Sequence, residues 1–198
     1  MSYSDNQFRT KIVVYGTSPT FHGFNLGVRF SGMGGTRYSM FVNGNINGDF
    51  VETNDLAFVY DPNDAKTPQY LKDGINAILN NPKVEESMKD YIRRSFGKIA
   101  ERNGGVNPFY GTIDLRLAYK FKTFRKQYVE LSGDLFNVAN LLNKEWGVNH
   151  ALGATSLLSR AGFDPATNNF KYVVNTNAGV SGLSGNPYQF QLGVRYGF

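Results

Sequence analysis

The chain contains no cysteine. That excludes disulfides, thiolate metal centres and thiol nucleophiles together. Histidine is almost as scarce, with His22 and His150 the only two. A hydrolase triad could use only one of them, and no nucleophile motif accompanies either. Adjacent carboxylates such as Glu85 and Glu86 point to different faces of a helix, so the chain is not read as an enzyme. Long apolar runs are missing too. Mean hydropathy is −0.36, and no window approaches the roughly 18 apolar residues of a helical membrane span. Strands that cross a membrane alternate, however, and their hydropathy averages out. The first residues, Met1 to Asn6, lack the basic start and apolar stretch of a signal peptide. For an exported protein the signal would then lie upstream, and the chain is expected to be a fragment. The net charge is +5, but the 21 Lys and Arg are scattered among 16 acids. Without a basic run or stripe, no nucleic-acid partner is expected.

What the chain has in quantity is aromatic side chains, 16 Phe and 12 Tyr, and turn-forming residues, 22 Gly with many Asn. The aromatics fall into a pattern at the end of the sequence. Tyr188, Phe190, Leu192, Val194, Tyr196 and Phe198 alternate with Gln189, Gln191, Gly193, Arg195 and Gly197. A period of two predicts a strand with one apolar and one polar face. Its length matches the roughly 9–11 residues that cross a bilayer at a tilt, and a Phe exposed at the terminus gains nothing from water.

Four earlier stretches repeat the pattern. In 8–16, Phe8, Thr10, Ile12 and Val14 oppose Arg9 and Lys11, with Val13 and Tyr15 blurring the alternation. In 23–42, Phe24, Leu26, Val28 and Phe30 oppose Asn25, Gly27, Arg29 and Ser31. The pattern resumes after Gly32, Gly34 and Gly35 through Tyr38, Met40 and Val42, which predicts one long strand with a bulge. In 109–121, Ile113, Leu115, Leu117, Tyr119 and Phe121 alternate with Asp114, Arg116, Ala118 and Lys120. In 126–138, Val129, Leu131, Gly133 and Leu135 alternate with Glu130, Ser132 and Asp134. With 188–198 these make an all-β, antiparallel meander of about five long strands. Setting Lys122 opposite Tyr128 places Arg116 opposite Asp134 and Lys120 opposite Glu130, and joins Leu115 to Leu135 and Tyr119 to Leu131. Opposite charges across strands stabilise by about 0.2–1 kcal/mol each, and registers shifted by two lose both pairs.

Two excursions interrupt the strands, 43–108 and 139–187. The first carries two apolar stripes at helical spacing. Leu71, Ile75, Ile78 and Leu79 predict a helix over about 68–80. Val84, Met88, Tyr91, Ile92, Phe96 and Ile99 predict another over about 83–102, with Asn81-Pro82 as its cap. This excursion reads as a receptor-like surface loop or as a helical pair packed on its own stripes, and the two are compatible. Phe170, Tyr172 and Val174 predict a hairpin inside the second. Asn45, Asn47, Asp49 and Asp55 resemble an oxygen-ligand Ca²⁺ loop, the one metal site the sequence suggests. Phe50 occupies the position where such a loop wants Gly, and no bidentate Glu occupies the twelfth. The alternative is a set of Asx-rich turns.

The connections alternate short and long, so an antiparallel sheet has both short turns at one end and both long ones at the other. Outer-membrane barrels have short periplasmic turns and long extracellular loops. On that reading Arg29, Asp114, Arg116, Lys120, Glu130, Asp134 and Arg195 face a wet lumen and the apolar faces meet lipid. A soluble sheet explains the same alternation if a second layer covers its apolar side. Burial of Leu115, Leu131 and Leu192 discriminates between the two.

The spacing Gln191-x-Gly193-x-x-Tyr196-x-Phe198 resembles the C-terminal signal by which bacterial outer-membrane proteins are handed to the barrel-assembly machinery. Three further stretches carry a wider likeness. They are Asn43 to Asp49 followed by Asn54-Asp55-Leu56, then Ala100 to Phe109 leading into Asp114-Leu115-Arg116-Leu117, and Leu131 to Leu142 with its Asp134-Leu-Phe-Asn-Val-Ala-Asn ending. In their order and spacing the whole chain resembles the C-terminal part of a TonB-dependent outer-membrane receptor, of the large Oar-like type with a carboxypeptidase-regulatory-like N-terminal domain. That resemblance implies a barrel of about 22 strands, occluded by a plug and driven by the inner-membrane TonB complex. Such receptors import siderophores, cobalamin, glycans or peptides, or act as surface receptors and adhesion proteins. It places the chain in the Gram-negative outer membrane as the last five transmembrane strands with two extracellular loops, the first helical. Plug and energy-coupling motif would belong to the rest of the parent chain.

Overall fold

In the computed structural model, residues 3, 4, 7–182 and 185–198 are described. In chain order the elements are β1 (Thr10–Thr17), β2 (Phe24–Gly34), β3 (Arg37–Tyr38), β4 (Met40–Asn43), β5 (Phe58–Val59), α1 (Gln69–Asn80) and α2 (Glu86–Arg94). There follow β6 (Lys98–Ile99), β7 (Gly105–Val106), β8 (Tyr110–Lys122), β9 (Tyr128–Phe136), α3 (Val138–Leu142), β10 (Thr155–Asp164), β11 (Asn169–Val174) and β12 (Gln189–Gly197). Strands dominate and the fold is all-β; among the described residues the named strands pair antiparallel except for β4 with β10. The chain divides into two units: Met1–Phe8, Gly35–Pro108 and Ala151–Gly182 form the first, and Arg9–Gly34, Phe109–His150 and Leu183–Phe198 the second.

The second unit is a five-stranded antiparallel sheet in the order β1-β2-β8-β9-β12. Its central register is the one that charge pairing predicts. Arg116 faces Asp134, Lys120 faces Glu130, Leu115 faces Leu135 and Lys122 faces Tyr128. Because every pairing is in step, the period of two carries across the whole sheet. Tyr15 faces Arg29, Arg29 faces Asp114, and Asp134 faces Gln191. Val13 and Tyr15, which blur the first strand, therefore lie on the polar side. The β1–β2 and β8–β9 connections are short turns at one end. The β2–β8 and β9–β12 connections leave from the other end.

The long strand expected over 23–42 is not continuous. β2 stops at Gly34, and Gly35 turns the chain with φ +76°, a conformation open to glycine. The resumed alternation, Tyr38, Met40 and Val42, belongs to the first unit. There β3 pairs with β7, and β4 runs parallel to β10. The second expected helix is also shorter than 83–102. Asn81 closes an Asx turn onto the Lys83 N–H, 2.9 Å, instead of capping a helix, and α2 starts at Glu86. It ends at Arg94 because Ser95 leaves helical geometry, with φ −102° and ψ 3°. Lys98–Ile99 then pairs with β5 as a strand, which leaves Ile99 exposed rather than on an apolar stripe.

The first unit holds the hydrophobic core. Leu71, Ile75 and Ile78 on α1 and Met88, Tyr91 and Ile92 on α2 are buried. With Tyr38, Met40, Val42, Val59, Leu157 and Leu158 all of these but Leu71 form one cluster. Full burial of each large side chain contributes about 1.5–3 kcal/mol. The hairpin expected around Phe170, Tyr172 and Val174 is β10–β11, and β4 extends it to a three-stranded sheet. Residues 35–108 and 151–182, which hold the first excursion and the larger part of the second, thus fold together on one core.

Candidate functional site

The sheet of the second unit has two chemically opposed faces. Arg29, Asp114, Arg116, Lys120, Glu130, Asp134 and Arg195 share the polar face, brought into line by the pairings Arg29–Asp114, Arg116–Asp134, Lys120–Glu130 and Glu130–Arg195. Arg116 is the hub. Its Nη1 donates to both Asp134 oxygens at 3.0 and 3.1 Å, and its Nη2 lies 3.6 Å from Glu130. Lys120 places its ammonium 3.6 Å above the Tyr128 ring. Asp114 accepts the Asn137 N–H at 2.9 Å. Glycines apart, the sheet's two buried residues, Ala118 and Ser132, at 6% and 9% exposure, lie on this polar side. Gly193 lies against Ser132, where a Cβ would come within 2.6 Å of the hydroxyl oxygen. A Cβ there would force the Ser132 hydroxyl to turn away.

The apolar face is open. Leu131 is 45% exposed, Leu192 74% and Val194 76%. Leu115 is half-buried. Ile12, Val14, Leu26, Val28, Ile113 and Leu117 are exposed on the same side. No second layer of the described chain covers these side chains, and every member of the hydrophobic core cluster lies in the first unit.

Aromatic rings concentrate at both ends of this face, a feature that alternation alone did not single out. At the short-turn end Phe24 meets Tyr119 with ring centroids 4.5 Å apart, Tyr119 stacks on Phe121 at 5.8 Å, and Tyr196 lies 6.3 Å from Phe198. Phe30 and Phe109 stand toward the other end with their rings against Gly32, while the Phe190 ring lies over Gly133 in the middle of the face. Of the residues resembling an assembly signal, Gln191 and Gly193 lie on the polar side, and Tyr196 lies on the apolar side with Phe198 just beyond β12.

The motif around Asn137 acquires a physical role. Asn137 ends β9 in left-handed geometry, φ +51°. Its buried amide donates to the carbonyls of Gly147 and Asn186 at 3.0 and 2.9 Å. Asn140 donates to Lys144 and Trp146, and its oxygen accepts the Tyr188 N–H. Together they clamp the chain between β9 and β12.

In the first unit, the Asx residues are brought together by hydrogen bonds. Asn45 Oδ1 accepts from Gly48 N–H at 2.7 Å, Asn47 Oδ1 from Asp49 N–H at 2.9 Å, and Asp55 Oδ2 from Ile46 N–H at 3.1 Å. Asp49 accepts from the Asn54 amide and the Val51 N–H, in that order the causes that hold its carboxyl below the ordinary range. Among the described residues no three His, Cys, Asp or Glu side chains converge as a metal site. His22 sits in the β1–β2 turn with its ring against Phe21, and His150 lies in the long β9–β12 connection. No helix among the described residues is long and apolar enough to cross a membrane. Comparison with family models, curated proteins and solved structures finds no match to this chain.

Proposed function

We propose that the five-stranded sheet is a lipid-facing segment of an outer-membrane β-barrel, the C-terminal part of a TonB-dependent receptor, and that the first unit is its extracellular portion. The observation that carries this reading is the inverted burial of the sheet. Its aliphatic side chains stand open while its buried non-glycine residues, Ala118 and Ser132, lie on the charged face, the arrangement expected of lipid outside and a wet lumen inside. The dimensions agree. From Ile113 to Phe121 the strand rises about 27 Å at roughly 3.3 Å per residue. At a tilt of about 40° this is roughly 20 Å of bilayer, near the apolar band of about 25 Å that aromatic girdles flank. Both edge strands, β1 and β12, are exposed along their length. Unpaired edges of this kind call for further strands, which the remainder of a barrel of about 22 strands supplies.

In this assignment Gln191, Gly193, Tyr196 and Phe198 are read by the barrel-assembly machinery, and the charged face lines the path of an imported ligand. Import of a siderophore, glycan or peptide would be powered by the TonB complex through a plug outside this chain. A surface receptor or adhesion protein without transport shares the architecture. The size and ordered core of the first unit favour a binding role in either case, and an uptake assay on the parent protein separates the two.

The lack of native cysteine allows a direct test. Single cysteines at Leu131, Ser132, Leu192 and Arg195 are spin-labelled in membranes, and collision with oxygen is compared with collision with a water-soluble nickel complex. Positions 131 and 192 are expected to favour oxygen, and positions 132 and 195 nickel. Equal access of nickel to both sets would refute the lipid assignment.

A further inference from the structure

The first unit contains a cleft of about 370 Å³ that belongs neither to the sheet nor to the Asx turns. It opens between β3, the start of β4, residues 53–56 and the segments around 102–103 and 153–154. This volume lies within the range of small-molecule sites, about 300–1,000 Å³. Arg37 and Arg102 line the cleft and no carboxylate does, so its own charge is positive. Arg37 is held for recognition. Its guanidinium lies 3.7 Å above the Tyr3 ring, which covers one face and leaves the planar edge for hydrogen bonding. Its Nε is buried without a hydrogen-bond partner.

Asn54, also in the wall, supplies the complementary group. Its amide nitrogen is committed to Asp49, which fixes the oxygen, and that oxygen is buried and unpartnered as well. Ser39 and Asn103 stiffen the floor by bonding one another, hydroxyl to amide oxygen at 2.9 Å and N–H to hydroxyl at 2.8 Å. The residues of the wall therefore hold an unused cationic donor and an unused neutral acceptor. Leaving buried groups of this kind unpaired is unfavourable.

We propose that this cleft binds a small carboxylate bearing an O–H or N–H on the neighbouring carbon. The carboxylate pairs with Arg37 and Arg102, and the O–H or N–H donates to Asn54. A polyhydroxy acid and the C-terminal residue of a peptide share this chemistry. The inference uses the first unit alone and does not rest on the barrel assignment.

Titration calorimetry on the whole chain in detergent tests it with gluconate, N-acetylalanine, acetate and sorbitol. Gluconate or N-acetylalanine is expected to bind one to one, and the tighter of the two identifies the source. Acetate lacks the donor and is expected to bind at least about tenfold more weakly, while sorbitol lacks the charge and should not bind. Arg102→Gln, an exposed change that spares the fold, is expected to weaken binding about tenfold or more, and Arg37→Lys to weaken it while keeping the charge. The proposal is overturned if neither acid binds at millimolar concentration, if acetate matches them, or if Arg102→Gln binds like the unaltered chain.

Discussion

Replacing Leu192 by Arg separates a lipid-facing strand from a water-facing one by magnitude. Leu192 is 74% exposed and faces Gly133, in the row that also contains Leu26 and Leu117. That row lies midway between the aromatic ends of the face. On a surface that meets water, such a change alters stability by no more than about 0.5 kcal/mol, because little packing is lost and the new charge is hydrated. At the midplane of a bilayer the same change costs about 2–4 kcal/mol, falling to about 0–1 near the interfaces. Three substitutions on β12 turn this into a profile. Leu192→Arg is expected to cost about 2–4 kcal/mol and Tyr196→Arg, among the end aromatics, no more than about 1. Gln191→Arg, on the polar face opposite Asp134, should be near neutral or slightly stabilising. The assay is reversible folding into phospholipid vesicles, followed by denaturant titration of each variant. Equal small effects at 191, 192 and 196 would show that the apolar face meets water, and the barrel assignment would fall with it.

A double-mutant cycle on Arg116 and Asp134 is expected to give a coupling of about 0.2–1 kcal/mol that shrinks with added salt, since Arg116 is half-exposed. Asn137→Gly keeps the left-handed backbone and loses two buried hydrogen bonds, an expected loss of about 1–3 kcal/mol. Asn137→Ala should lose about 1 kcal/mol more, because alanine does not favour φ +51°; equal losses in a denaturant melt would contradict the clamp. Burial pushes the Tyr38 hydroxyl up to about 12, with the Ser87 hydrogen bond opposing it only in part. A folded-state value above the ordinary 10.0 means that its stabilising contribution is complete below pH 10 and is lost as pH rises through about 12. Near-UV dichroism should therefore report a loss of roughly 2–3 kcal/mol over that window, absent in Tyr38→Phe. Calcium and chelator are each expected to leave proton exchange of residues 45–55 unchanged, because the Asx oxygens already accept backbone and amide hydrogens; slowed exchange with calcium would instead support the ligand loop.

The sheet was legible because its side chains obey a short-range rule. A period of two over eight or more residues fixes faces, and the matched charges Arg116–Asp134 and Lys120–Glu130 then fix register. Both survive into the structure because neighbouring strands are also neighbours in sequence order. The first unit was harder to read because its decisive contacts are not local. Met40 and Val42 look like the continuation of β2, and only the parallel pairing with β10, more than a hundred residues later, shows that they belong to another core. Ile99 matches a helical stripe by spacing, yet Ser95 stops α2 before it is reached. The cleft was hidden for the same reason: Arg37, Asn54 and Arg102 are distant in sequence, and nothing in their local spacing joins them.

The two units treat apolar side chains in opposite ways, and this explains why average composition says so little. In the first, Ile75, Met88 and Leu157 are fully buried, as the hydrophobic effect requires of a body in water. In the second, side chains of the same kind stand open in a continuous sheet face. Large exposed apolar patches mark surfaces that meet a partner or a membrane, and this face is built from more than ten exposed large apolar side chains on five strands. A local packing defect would leave isolated residues exposed; here the exposure follows the strand period from β1 to β12. Such regularity is what the proposed hydrocarbon surrounding predicts, and the two interfaces of that proposal also account for the rings toward both ends of the face.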